Sequence, residues 1–285
     1  MPHIFPDYLT KNLCLMVTGI GAKNGLSVFL VNQPPDLNLL EAGAQCFPLK
    51  IYGEGDSGGN LFSSQNEQNY SVSSGITNLG FECFQNAYSG DSFTKEDLFY
   101  YIYGLLHSPE YRERFQNNLS KELPRIPAVK KFEEFMAFSE AGRELGDLHV
   151  NYESVEPYPV TIKEGDLQLA HIPDPKEFYS VKKMKFAGTR GSQDKTNVIY
   201  NSNITMQDIP LEAYEYVVNG KSALDWVMDR QVVKTDKASG ITNDANDYAN
   251  ETVNNPAYPL ELFQRVITVS LETMKIVRSL PKLDI

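Results

Sequence analysis

Hydrophobic positions along the chain follow two rhythms, short β-prone runs and longer stretches at helical spacing. The run from Asn12 to Ala22 imitates a secretory leader, but Asp7 stands where positive charge is needed, and a buried strand is expected. Val28 to Val31 and Cys46 to Tyr52 are further strand runs, so residues 1–90 read as strand- and loop-rich. Between Gly53 and Ser74 the chain turns to Gly, Ser, Asn and Gln, with only Leu61, Phe62, Tyr70 and Val72 as anchors. That composition predicts a mobile insertion.

Residues 91–150 read as helical. Thr94 with Asp97 three residues on forms a capping signal ahead of Leu98 to Leu106. Ser108-Pro109 restarts a second helix through Tyr111, Phe115 and Leu119. After Pro124 and Pro127, Val129 to Leu145 is a third, with Phe132, Phe135, Met136 and Phe138 inward and alternating charges outward. Residues 151–209 return to strands, with a hairpin formed by Phe178 to Phe186 and Thr196 to Tyr200 around Gly188–Ser192. Residues 210–285 are helical again. Pro210 opens a helix with Ala213, Tyr214 and Val217, and Ser222 to Arg230 carries the single tryptophan, Trp226. Pro259 to Ser279, with Leu262, Val266, Val269, Leu271 and Ile276, is the last and longest. The expected fold is α+β, a mixed chain of alternating strand-rich and helical blocks.

Composition narrows the class. A chain of 285 residues with 41% hydrophobic and 22% charged residues is globular rather than disordered. No apolar run approaches the roughly 18 residues of a membrane span. Cys14, Cys46 and Cys83 are widely spaced, with no Cys-x-x-Cys or Cys/His pairing. A disulfide scaffold, a structural zinc or another metal site is not expected, and a reducing, cytoplasmic setting is.

Catalytic motifs fail one by one. Gly220-Lys221-Ser222 ends like a phosphate loop, but Glu215 occupies the position of the first glycine, leaving a helix start as the better reading. Gly19-Ile-Gly21 has its third glycine one residue late, at Gly25. Asn32 to Asp36 lacks the aromatic after Pro34-Pro35 that an adenine methyltransferase turn carries. Asp174-Pro-Lys176 is the one acid-x-lysine match to a metal-dependent nuclease, with proline badly placed for its strand. His3, His107, His149 and His171 are scattered among serines with no nucleophile elbow. Spacing defines no catalytic site and no cofactor.

Charge is more informative. The net charge of −11 disfavours indiscriminate nucleic-acid binding, yet Phe178 to Tyr200 holds Lys182, Lys183, Lys185, Arg190 and Lys195 against Asp194 alone. On an extended strand Lys183 and Lys185 share a face and Lys182 takes the other. Arg190, Ser192, Gln193 and Asp194 in the turn offer the donors that read base edges in a major groove. An ordinary charged edge hairpin is the competing reading, since lysines also blunt exposed edges.

Longer strings carry a resemblance. Glu96 to Phe115, Asn118 to Pro127, Ala141 to His149, Tyr216 to Trp226, Lys234 to Ile241 and Val269 to Val277 are similar to signatures of Type ISP restriction-modification enzymes. They belong there to the C-terminal specificity, or target recognition, domain. Gln231 departs from the pattern, which has an aromatic at that position. The resemblance implies one specificity domain over residues 1–285, excised or split from a longer polypeptide. That polypeptide would hold nuclease, helicase-like ATPase, coupler and adenine methyltransferase regions. It implies no catalysis by this chain itself, double-stranded DNA as partner, and a target adenine positioned for the methyltransferase. The candidate DNA contacts are Lys182, Lys183, Lys185, Arg190, Gln193 and Lys195. The alternative is a protein-interaction module that docks the methyltransferase or coupler and binds little DNA.

Overall fold

Four consecutive apolar residues buried on both faces begin the chain's ordered structure: β1 (Cys14–Val17) is flanked antiparallel by β2 (Val28–Val31) and β3 (Gln45–Pro48). The structure is a computed structural model that describes residues 3–36, 39–40, 43–54, 70–163, 172–189 and 191–285. The chain divides into two compact units, residues 1–150 with 276–285, and residues 151–275. The fold is mixed α+β.

In the first unit the expected strand over Cys46 to Tyr52 divides in two. β3 serves β1, whereas β4 (Lys50–Glu54) pairs with β5 (Tyr70–Ser74). The buried Asn12 stitches this corner, donating to the carbonyls of Ile4 and Lys50 and accepting from the Leu13 and Lys50 amides. Both ends of the insertion expected between Gly53 and Ser74 are thus paired strands, and residues 55–69 lie outside the described residues. Sequence patterning also missed α1 (Asn78–Ala87), which Thr77 caps by accepting from the Gly80 amide.

Helix α2 (Lys95–His107) begins with the expected capping box, and Ser108-Pro109 starts α3 (Pro109–Arg114), followed by α4 (Gln116–Leu119). α5 (Phe132–Val150) begins three residues later than the pattern suggested. The reason is the extended segment ahead of it. The hydroxyls of Tyr88, Tyr101 and Tyr111 donate to the carbonyls of Val129, Pro127 and Arg125, each at 2.7 Å. A carbonyl engaged every second residue, with prolines at 124 and 127, cannot join a helix.

α2 and α5 meet backbone to backbone. A Cβ on Gly104 would lie 2.2 Å from the Phe138 carbonyl oxygen, and one on Gly142 would lie 1.9 Å from that of Tyr100. Around this crossing pack Leu30, Tyr101, Tyr103, Leu105, Phe135, Phe138 and Leu145, all essentially inaccessible. The thiols of Cys14 and Cys46 approach each other across β1 and β3. Their hydrogen bond, together with burial, raises Cys14, whereas at Cys46 the same bond lowers the thiol against the opposing effect of burial.

The second unit is built on an antiparallel sheet of order β6–β9–β8–β7, from β6 (Thr161–Ile162), β7 (Lys185–Thr189), β8 (Ser192–Ile199) and β9 (Thr205–Gln207). Ahead of β7, α6 (Pro175–Tyr179) takes residues assigned by pattern to a strand. Asp174 accepts from the Lys176 and Glu177 amides with Pro175 at the first helical position, so the nuclease-like Asp174-Pro-Lys176 is a helix start.

The helix expected from Pro210 is a single 3₁₀ turn, Leu211–Tyr214, and Val217 passes into β10 (Val217–Val218). Asn219 and Gly220, both at positive φ, turn the chain into β11 (Lys221–Ser222), as an Asn-Gly pair favours. Ser222 then caps α7 (Ala223–Arg230), the helix start read for Gly220-Lys221-Ser222. A second small hairpin, β12 (Lys234–Thr235) and β13 (Thr242–Asn243), precedes the short α8 (Ala245–Asp247) and the long α9 (Tyr258–Ser279). Val198, Tyr200, Ile204, Met206, Leu224, Phe263 and Ile267 form the core of this unit. Gln231 is buried, donating to the Pro259 carbonyl at 3.2 Å, and its Oε1 has no partner among the described residues.

Candidate nucleic-acid interface

The basic window falls on the β7–β8 hairpin, with β7 at the edge of its sheet. Lys185 opens β7 and is exposed. Lys182 and Lys183 are also exposed, but they precede the strand, so the alternation of faces expected for them does not apply. The turn is tight. Gly188 sits at φ +85°, and a Cβ there would meet the Ser192 carbonyl oxygen at 2.4 Å. Gln193 is exposed opposite Gly188, and Arg190 lies outside the described residues.

A wide bulge separates this tip from the body of the sheet. Phe186 pairs with Val198, whereas the next residue, Ala187, pairs with Asp194, leaving Lys195, Thr196 and Asn197 unpaired with β7. Asp194 organises the bulge by accepting from Thr196 Oγ1 at 2.6 Å, Asn197 Nδ2 at 2.6 Å and the Thr196 amide at 3.0 Å. These bonds, the Thr196 hydroxyl first, hold its carboxyl below the usual range. The carboxylate therefore stays ionised and is fixed within the bulge, paired with none of the exposed lysines.

Lys195 is placed differently from the other candidates. It is half-buried, with Nζ 5.2 Å from the centre of the Phe186 ring, 4.9 Å from that of Tyr214 and 3.8 Å from the Asp225 carboxylate. The Tyr214 hydroxyl donates to the Lys195 carbonyl at 2.9 Å, and burial pushes that phenol up. Lys195 fastens the hairpin to its own unit. Lys182, Lys183 and Lys185 have no ion-pair partner among the described residues.

The chemistry available elsewhere is structural. His107 and His149 are buried beside Tyr103, whose hydroxyl meets His149 Nδ1 at 2.7 Å and whose carbonyl meets His107 Nδ1 at 2.8 Å. Among the described residues no group of three or more His, Cys, Asp or Glu side chains is placed to hold a metal, and no helix is long and apolar enough to cross a membrane.

Comparison with known proteins places these features. The family model of the Type ISP C-terminal specificity domain matches residues 1–262. The ATP-dependent Type ISP restriction-modification enzyme LlaBIII bound to DNA is 34% identical, with a TM-score of 0.80, over 100% of this chain and 17% of that one. A nuclease-deletion mutant of the Type ISP enzyme LlaGI, in complex with a DNA substrate mimic, is 34% identical, with a TM-score of 0.73. It is covered over 22% of its length and this chain over 100%. The DrdV–DNA complex gives 31% identity and a TM-score of 0.77, over 100% of this chain and 26% of that one. The chain therefore spans about a quarter or less of the solved chains it resembles. No curated protein sequence matches it.

Proposed function

The chain belongs to the Type ISP C-terminal specificity domains, and from that membership we propose that it recognises a sequence in duplex DNA and positions a target adenine for a methyltransferase region. The observation that carries this reading is the end-to-end similarity to chains described as DNA-bound, at 31–34% identity. Helicase and nuclease regions of a parent enzyme are the remaining partners in this reading. The chain itself supplies recognition and no chemistry.

The β7–β8 hairpin is the proposed contact. Lys182, Lys183 and Lys185 supply the charge that engages phosphates and sets register, while Gln193 and Arg190 address base edges. Lys195 acts by holding the tip at a fixed angle to its sheet.

Fluorescence anisotropy with random-sequence duplexes over a series of salt concentrations tests this. Binding by the chain should weaken steeply with salt. Neutralising Lys182, Lys183 and Lys185 together should lower the salt slope by about 0.9 for each phosphate no longer engaged, alike on every duplex. Arg190→Ala should cost about 1–3 kcal/mol on the preferred sequence and relax preference at one base pair. Unchanged binding in both variants, with melting temperatures unaltered, would remove the hairpin from the interface.

A further inference from the structure

The second hairpin of the same unit, β12–β13, is ordered without being buried. Every residue from Lys234 to Asn243 is exposed, including Ile241 at 63%. Ordering ten residues costs conformational entropy that burial does not repay here, so internal bonds must do it. Asp236 is their hub. Its carboxylate accepts from the Ala238 amide at 3.0 Å, the Ser239 amide at 2.8 Å and the Ser239 hydroxyl at 3.0 Å. Its own amide donates to the Ile241 carbonyl, and its carbonyl accepts from Gly240. Across the strands the hydroxyls of Thr235 and Thr242 meet at 2.8 Å. The Asp236 carboxylate is held within its own turn and pairs with neither lysine, and Lys234 and Lys237 have no ion-pair partner among the described residues.

This hairpin is locked to the lysines ahead of β7. The Val233 amide donates to the Lys182 carbonyl at 2.9 Å, one residue before Lys234. On the far side of the hairpin Asn246 clamps Val181, accepting from its amide at 2.9 Å and donating to its carbonyl at 2.8 Å. The segment that presents Lys182 and Lys183 is therefore gripped by both ends of the β12–β13 excursion. Lys182 is thereby brought beside Lys234, although about fifty residues separate them in sequence, with Lys183 and Lys185 following the one and Lys237 the other along the chain.

From this, and resting on the duplex-DNA reading above, we propose that the β12–β13 hairpin is a second contact arm, with Lys234 and Lys237 engaging the phosphodiester backbone beside the β7–β8 hairpin. An internally hydrogen-bonded, wholly exposed turn with two cations outside any ion pair suits a phosphate contact, which needs position and charge but no pocket. Its partner is a duplex of any sequence. The arm contributes register and affinity, and the discrimination stays with the tip of β7–β8.

The test compares the full chain with K234Q/K237Q, K234R/K237R and K182Q/K183Q/K185Q by salt-titrated anisotropy on random-sequence duplexes. K234Q/K237Q should lower the slope of log affinity against log salt by about 1.8, two phosphates at roughly 0.9 each. Its affinity should fall equally on all duplexes, and K234R/K237R should restore both. A wild-type slope and affinity in K234Q/K237Q, beside a clear weakening in K182Q/K183Q/K185Q, would overturn the second arm and leave the DNA reading standing. Absence of salt-dependent duplex binding by the unaltered chain would overturn the DNA reading and this proposal together.

Discussion

Single side chains fix much of the first unit, several of them through buried hydroxyl and imidazole groups. Tyr101 is wholly buried, and its hydroxyl satisfies a proline carbonyl in a segment that prolines keep out of any helix. Tyr101→Phe should cost about 1–3 kcal/mol in chemical denaturation, because the Pro127 carbonyl would be left without its donor. A cost near zero would mean that the carbonyl finds another partner. The histidines make stability depend on pH. Burial lowers His149 from 6.5 to about 3, and burial first, then Arg112 and His149, lower His107 well below its ordinary value. The unfolded chain takes up protons below about pH 6.5 that the folded chain refuses. Stability is therefore full above that pH and declines as it falls toward 3. Between pH 6.5 and 5, above most carboxylate titrations, His149 alone should remove about 1.5 kcal/mol, with His107 acting in the same direction. His149→Gln, which keeps an acceptor for Tyr103, should flatten that stretch of the profile. An unchanged slope would show that His149 is not the group responsible.

At the scale of elements, the α2–α5 crossing is the feature most exposed to a single change. Gly142→Ala would gain up to about 1 kcal/mol of helix propensity. The added Cβ would stand 1.9 Å from the Tyr100 carbonyl oxygen and 2.8 Å from the Gly104 amide nitrogen, forcing the helices apart. Overpacking of this kind costs about 1–3 kcal/mol and should win, lowering the melting temperature of the first unit. A rise in melting temperature would show that the crossing has room. Elements of this sort were legible where local chemistry decides them. The Thr94–Asp97 box, the Ser108-Pro109 restart and the Ser222 cap all stand where the residues put them. Legibility failed where a partner distant in sequence decides. Val129 was drawn out of a helix by Tyr88, and the run from Cys46 to Tyr52 was divided because two different strands claim its halves. The candidate interface was legible as a local excess of lysine, but not in its detail. No sequence window shows that Phe186 and Tyr214 occupy Lys195, or that Val233 brings Lys234 beside Lys182. Lys234 and Lys237 escaped the charge reading because Asp236 lies between them, and only its bonds to Ala238 and Ser239 show that this carboxylate is held within its own turn and pairs with neither lysine.

For the whole molecule, a net charge of −11 and a lysine-bearing face in one unit are compatible, because phosphate responds to the local field within about a Debye length. The excess of acidic side chains elsewhere in the chain also disfavours docking through other surfaces, which serves discrimination better than a uniformly basic chain would. Sequence preference is the property that separates a specificity domain from a basic surface of any other kind. The most direct measurement is selection of bound duplexes from a fully randomised pool by the full chain at near-physiological salt, followed by sequencing of the bound fraction. We expect repeated rounds to enrich one short recurring sequence containing an adenine, with Arg190→Ala loosening a single position within it. A bound fraction as random as the starting pool, or no duplex retained, would contradict recognition of DNA sequence by this chain.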